Sequence, residues 1–156
     1  MRHCVQCGST ELVTGTVEER IDVGGVAFTA DVPGERCATC GEHYVSAADL
    51  ERFELAASVE LARIGERNGT ALRFMRKALG FRAKDLAELL GVAPETFSRW
   101  ETGERDPDAH AFALVGSLAA DRLEGTERTA SMLHGSTRGP VSASRSAPVR
   151  VVIRAA

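Results

Sequence analysis

The chain has 156 residues, 44% hydrophobic but only 5% aromatic, with a formal net charge of −3. That allows one or two small domains around a modest core. No apolar run approaches the ~20 residues of a membrane span, and no signal-peptide core opens the chain, so membrane and secreted classes are excluded and a cytoplasmic protein with reduced thiols is expected.

Charge is unevenly placed along the chain. Three arginines stand against seven acids over residues 1–45, whereas residues 137–156 carry four arginines and no acid. Such asymmetry suits one nucleic-acid face and one different face. The chain opens on Cys4-Val-Gln-Cys7-Gly8, and Cys37-Ala-Thr-Cys40-Gly41 repeats the pattern. In a reducing compartment two CxxCG knuckles point to a metal rather than to disulfides. Four soft thiolates in tetrahedral disposition favour one structural Zn2+ per chain, with Cys4, Cys7, Cys37 and Cys40 as ligands. A rubredoxin-like iron, a dithiol redox pair and disulfides are the alternatives. His3 and His43 lie beside the knuckles but are not needed as ligands.

Between the knuckles, Val13, Val17 and Ile21 alternate loosely with polar residues, and Val26, Phe28 and Ala30 more cleanly. The spacing predicts a β-hairpin turning at Gly24-Gly25. So few large side chains cannot fold alone, and the metal supplies the missing stability. Ser46 is placed to cap a helix running to Ile64, with Asp49 in its first turn. Leu50, Phe53, Ala57, Leu61 and Ile64 make one apolar stripe of that helix, and Leu55, Val59 and Ala62 a second. Residues 65–69 read as a polar linker, dividing a module at 1–68 from a domain at 69–135.

In the second domain Thr70 is expected to cap a helix with Leu72, Met75 and Leu79 inward, and Arg73, Arg76 and Lys77 outward. Gly80 ends it. Leu86, Ala87 and Leu90 then recur at helical spacing up to Gly91, which takes a positive φ, and Val92 fills the gap between helices. Pro94 starts a second short helix, with Phe97 and Trp100 in the core and Thr96, Ser98 and Arg99 facing elsewhere. Two short helices about a glycine turn describe a helix-turn-helix. Gly103 closes it, and Asp108 caps a further helix bearing Phe112, Val115, Leu118 and Ala119, whose apolar surplus suits core or dimer. A last helix is expected from Thr126 to His134, stopping at Gly135. Residues 136–156 read as a disordered tail, although 149–154 have strand propensity. The fold class is therefore α+β: a small zinc-binding hairpin module followed by an all-α DNA-binding domain.

The arrangement L-A-x-x-L-G-V-x-x-x-x-F-S-x-W-E-x-G resembles the lambda-repressor-like (XRE) family of DNA-binding domains. Preceded by two CxxCG knuckles, the chain from Cys4 to about Leu123 resembles the MqsA (YgiT-type zinc finger) antitoxin family. The resemblance implies a homodimer that binds double-stranded DNA at an operator, here expected to be palindromic, and represses its own operon. It also implies a ribonuclease-like toxin partner, bound by the zinc module. Arg99 matches the family's base-reading arginine, whose fork suits guanine; a phosphate contact or a salt bridge to Glu95 is the alternative. Glu95 stands where the family has asparagine, and Ala83 where many such domains have glutamine, leaving Arg82 or Lys84 to replace a positioning contact. The candidate DNA-contacting set is Arg99, Glu95, Thr96, Ser98, Arg82, Lys84, Arg76 and Arg105, while Glu101 reads as structural. A free-standing regulator that keeps the metal module as a dimerisation or ligand-binding unit is the second reading. An enzyme is not expected, because no motif joins the scattered histidines to an acid.

Overall fold

The computed structural model describes residues 2–138; of the tail expected at 136–156, residues 136–138 are helical, and 139–156, with the strand-prone segment, lie outside the described residues. Among the described residues nine elements follow in order: β1 (Leu12–Val23), β2 (Val26–Cys37), β3 (His43–Val45), α1 (Ala47–Ile64), α2 (Gly69–Ala78), α3 (Ala83–Leu90), α4 (Pro94–Thr102), α5 (Ala109–Glu124) and α6 (Arg128–Arg138). The strands form one antiparallel sheet in the order β1-β2-β3. Among the described residues no helix is long and apolar enough to cross a membrane.

The hairpin turns at Gly24 and Gly25, with φ of 58° and 94°, the positive pair that a tight two-residue loop requires. Its register sets Val17 against Val32, Ile21 against Phe28 and Val23 against Val26, so the larger side chains share one face. The strands run further than the sequence pattern indicates, and β2 ends on Cys37, delivering that thiol to its knuckle. Val23 joins the helical core, with Ile21 and Phe28 packed against it.

Ser46 caps α1, accepting from the Asp49 amide at 3.1 Å. Both apolar stripes of α1 are used, but not over their full length: Phe53, Leu55, Ala57 and Leu61 are buried, whereas Leu50 and Ile64 are exposed. Leu55 and Leu61 belong to the same core as Leu72, Met75, Phe97 and Val115. The helical body therefore includes α1, and residues 65–69 form a tight corner within it rather than a spacer. Gly116 of α5 crosses against Ala62 of α1 so closely that a Cβ there would collide with it.

Asn68, not Thr70, caps α2: its Oδ1 accepts from the Ala71 amide at 2.9 Å. The helix starts at Gly69, so the residue before it is the one whose side chain reaches the third helical amide. The same side chain donates from Nδ2 to the Gly24 carbonyl at 3.1 Å. Gly91 adopts φ 69° after α3, and Pro94 opens α4. Leu86, Ala87 and Leu89 are buried, with Leu90 only half-buried. Phe97 and Trp100 complete the core from α4, their ring centroids 6.0 Å apart. Asp108 caps α5 by accepting from the His110 and Ala111 amides.

Contrary to the expected stop at Gly135, α6 continues to Arg138. A glycine inside a helix costs only about 1 kcal/mol, and Gly135 is not among the glycines with positive φ. Buried Asp121 holds the start of α6, accepting from the Thr129 amide at 2.6 Å and the Thr126 hydroxyl at 3.0 Å.

Candidate metal centre and candidate nucleic-acid interface

The two knuckles are wired alike. The Cys4 amide donates to the Ser9 carbonyl at 2.7 Å and the Gly8 amide to the Cys4 carbonyl at 2.8 Å; Cys37 to Glu42 and Gly41 to Cys37 repeat this at 2.7 and 2.9 Å. Gly8 and Gly41 supply φ of 76° and 81°, a turn that brings backbone N–H groups round to the sulfurs. The Gln6 and Cys7 amides face the Cys4 sulfur, and the Thr39 and Cys40 amides face Cys37. The Ser9 amide serves Cys7 and the Glu42 amide serves Cys40.

The four sulfurs lie within 4.8 Å of one another, with Cys4 to Cys40 at 3.5 Å and Cys7 to Cys37 at 3.6 Å. A tetrahedral ion bonded to thiolates at about 2.3 Å sets its ligands about 3.8 Å apart, so the cluster fits one ion. All four thiols are free, their sulfurs well beyond the about 2.05 Å of a disulfide bond. His3 and His43 are outside the cluster; His43 instead approaches Glu19 at 3.9 Å.

Electrostatics divides the sulfurs. The Tyr44 hydroxyl is the main cause that brings Cys4 down to about 6, against the opposing effect of burial. The Cys40 amide, foremost, lowers Cys37. Cys7 is raised: the Ser9 amide and Cys40 favour its thiolate, but burial and the sulfurs of Cys37 and Cys4 outweigh them. Although the Glu42 amide favours the Cys40 thiolate, burial and the other three sulfurs push it up to about 12. Four thiolates this close repel one another unless a cation sits among them. The cluster is thus suited to a soft divalent ion. Tyr44 had no signal in the sequence, because only the pairing of β3 with β2 brings it to Cys4.

The second group of residues lies on α3 and α4. Glu95, Ser98 and Arg99 are exposed, and Thr96 is half-buried. The Arg99 side chain is 62% exposed and meets Glu104 at 3.6 Å rather than Glu95. Exposed Arg105 stands close by, its amide donating to the Arg99 carbonyl at 3.2 Å. Lys84 is exposed, and Arg82, also exposed, pairs with Asp85 at 2.7 Å.

Arg76 departs from the outward position expected of it. Its guanidinium lies between α2 and α4, donating to Glu101 at 2.7 and 3.3 Å and to the Phe81 carbonyl at 2.8 Å. Its side chain is 14% exposed, and that of Glu101 only 8%. Packing of α2 on α4 turns this edge position inward, so the fork is spent on holding α4 and is withheld from solvent.

A family model described as the antitoxin component of the bacterial toxin-antitoxin system, MqsA, matches residues 1–121. No curated protein and no solved structure matches the chain.

Proposed function

The chain belongs to the MqsA antitoxin family, and from that membership we propose that it represses transcription as a homodimer and neutralises a ribonuclease-like toxin. The observation that carries the DNA-binding part is Arg99, exposed on the outward side of α4, while Arg76 and Glu101 anchor the same helix from behind. In this reading α3 and α4 are the XRE-type helix-turn-helix and α4 enters the major groove. Arg99 forks onto guanine O6 and N7, and Glu95 selects against the bases that the family's asparagine would take. Ser98 and Thr96 contact nearby base edges or sugars. Lys84, Arg82 and Arg105 sit on phosphates, which position the protein without reading sequence. One helix pair covers few base pairs, so a second copy on a half-site about 34 Å away supplies useful specificity.

Cys4, Cys7, Cys37 and Cys40 hold one structural Zn2+ per chain. The bound ion neutralises thiolate charge and cross-links a hairpin with too few large side chains to fold by itself. Toxin binding is assigned to this module. Its excess of acids over arginines would steer a basic partner, and β1 lies at the edge of the sheet, where a partner strand can add.

The test uses the full chain, since α1 shares the helical core. Sequence-selective, two-fold binding to DNA upstream of its own gene is expected, together with a purified complex and rescue of growth when it is co-expressed with the adjacent gene product. Selective DNA binding without complex or rescue would favour a free-standing XRE-family regulator. Equal binding to operator and random DNA would refute the repressor.

A further inference from the structure

We propose that Tyr44 is a positioning residue of the metal centre, whose phenol donates a hydrogen bond to the Cys4 thiolate and slows loss of the ion. The inference rests on the reading of the four cysteines as metal ligands. The Tyr44 oxygen is 3.0 Å from the Val5 amide nitrogen and 3.2 Å from the Cys4 sulfur. An amide N–H can only donate, so the phenol oxygen accepts from Val5. Its single proton is then left for the sulfur.

One oxygen therefore fixes a ligand and the residue after it. The anchor is sound, because Tyr44 stands opposite Glu35 in the β2–β3 ladder. Arg2 and His3, ahead of Cys4, belong to no helix or strand, so the first knuckle gains from β3 the support that the second has from β2, which ends on Cys37. The two knuckles match in their backbone bonds but differ here: among the described residues Cys37 has no side-chain hydroxyl on its sulfur.

A metal-bound thiolate keeps a lone pair that can accept a hydrogen bond. A donor seated on that lone pair holds the sulfur in place. Partners of this kind commonly matter by 10–100-fold in metal affinity.

The experiment loads the full chain with Zn2+ or Co2+ and compares it with Tyr44→Phe, which keeps the ring and removes the hydroxyl. Zinc transfer to a chromophoric chelator should be faster by about tenfold or more in the variant. The thiolate-to-cobalt charge-transfer band should move to lower energy, because the sulfur loses a donor that stabilised its electrons. A merely structural role would not move that band. Tyr44 is the only tyrosine in the chain, so biosynthetic fluorotyrosine alters this site alone; its more acidic phenol should shift the band the other way. That second probe keeps the test decisive if Tyr44→Phe folds poorly. A wild-type chain with no thiolate–cobalt band overturns the metal reading and this inference with it. A wild-type band that neither replacement moves, with unchanged zinc transfer, overturns the inference alone.

Discussion

Replacing Glu101 by alanine leaves the Arg76 guanidinium in a site built for a carboxylate. The fork loses its bonds at 2.7 and 3.3 Å and keeps only the Phe81 carbonyl. Breaking a buried ion pair from one side typically costs about 3–5 kcal/mol, because a charge remains without its partner. Two features favour the lower end: the Arg76 side chain retains 14% of its exposure, and one bond survives. We therefore expect a loss of about 3 kcal/mol, a large share of the roughly 5–15 kcal/mol that holds a small protein folded. For a chain of this size the melting temperature should fall by roughly 6–12 °C. Thermal melts followed by far-UV circular dichroism, with urea titration at constant slope, measure it. Joint replacement by Met at position 76 and Leu at position 101 should recover most of the loss, since a well-packed apolar pair can replace a buried ionic one. If Glu101→Ala stays within about 0.5 kcal/mol of the parent, as ordinary surface changes do, the pair is open in solution. Arg76 would then be free for phosphate.

Arg99→Ala should weaken operator binding by about 1–3 kcal/mol and leave random DNA nearly unchanged, whereas Lys84→Ala should weaken both and reduce the salt slope by about 1; quantitative mobility shifts over a salt series separate them. Stripping the metal with a chelator should unfold the hairpin and also lower the melting temperature of the helices, because Val23 belongs to their core; an unchanged helical melt would contradict that shared packing. Asp121 has a depressed carboxyl, held foremost by the Thr129 amide. Its stabilising share is present above the ordinary carboxylate value of about 3.9 and is lost as pH falls through the lower folded one. Hydrogen exchange should therefore show α6 released in acid before α5. Asp121→Asn should reduce that acid dependence, and a profile identical to the parent's would reject the role.

Some of this was legible because local rules fix it. Two CxxCG motifs bring sulfurs together from tight turns whatever lies between them, and a diglycine between alternating segments defines its own hairpin. Gly91 and Pro94 likewise punctuate α3 and α4 through backbone preferences that neighbours rarely override. What escaped depends on partners distant in sequence. Helical spacing placed Arg76 on a polar face, but its orientation is decided by Glu101, two helices further along the chain. Thr70 looked like the cap because Thr suits that task, yet Asn68 alone stands before the first helical residue and can also reach Gly24. The two stripes of α1 signalled two neighbours without naming them, and α5 claims more of that helix than the hairpin does. Nothing local marks Tyr44, whose contact exists only once β3 joins the sheet.

Asn68 has a consequence for how the two ends of the molecule communicate. Its amide grips the hairpin tip at the Gly24 carbonyl. The next residue, Gly69, lies so close to the Trp100 and Glu101 carbonyls at the end of α4 that a Cβ would collide with them. The tip and the seat of α4 are thus joined across one side chain and one backbone contact. A ligand of the hairpin that shifts the tip is therefore expected to change the affinity of α4 for the proposed operator, by a factor that thermodynamic reciprocity makes the same in either direction. Titrating the two ligands in both orders would return one coupling constant, and replacing Asn68 with alanine would bring it towards unity.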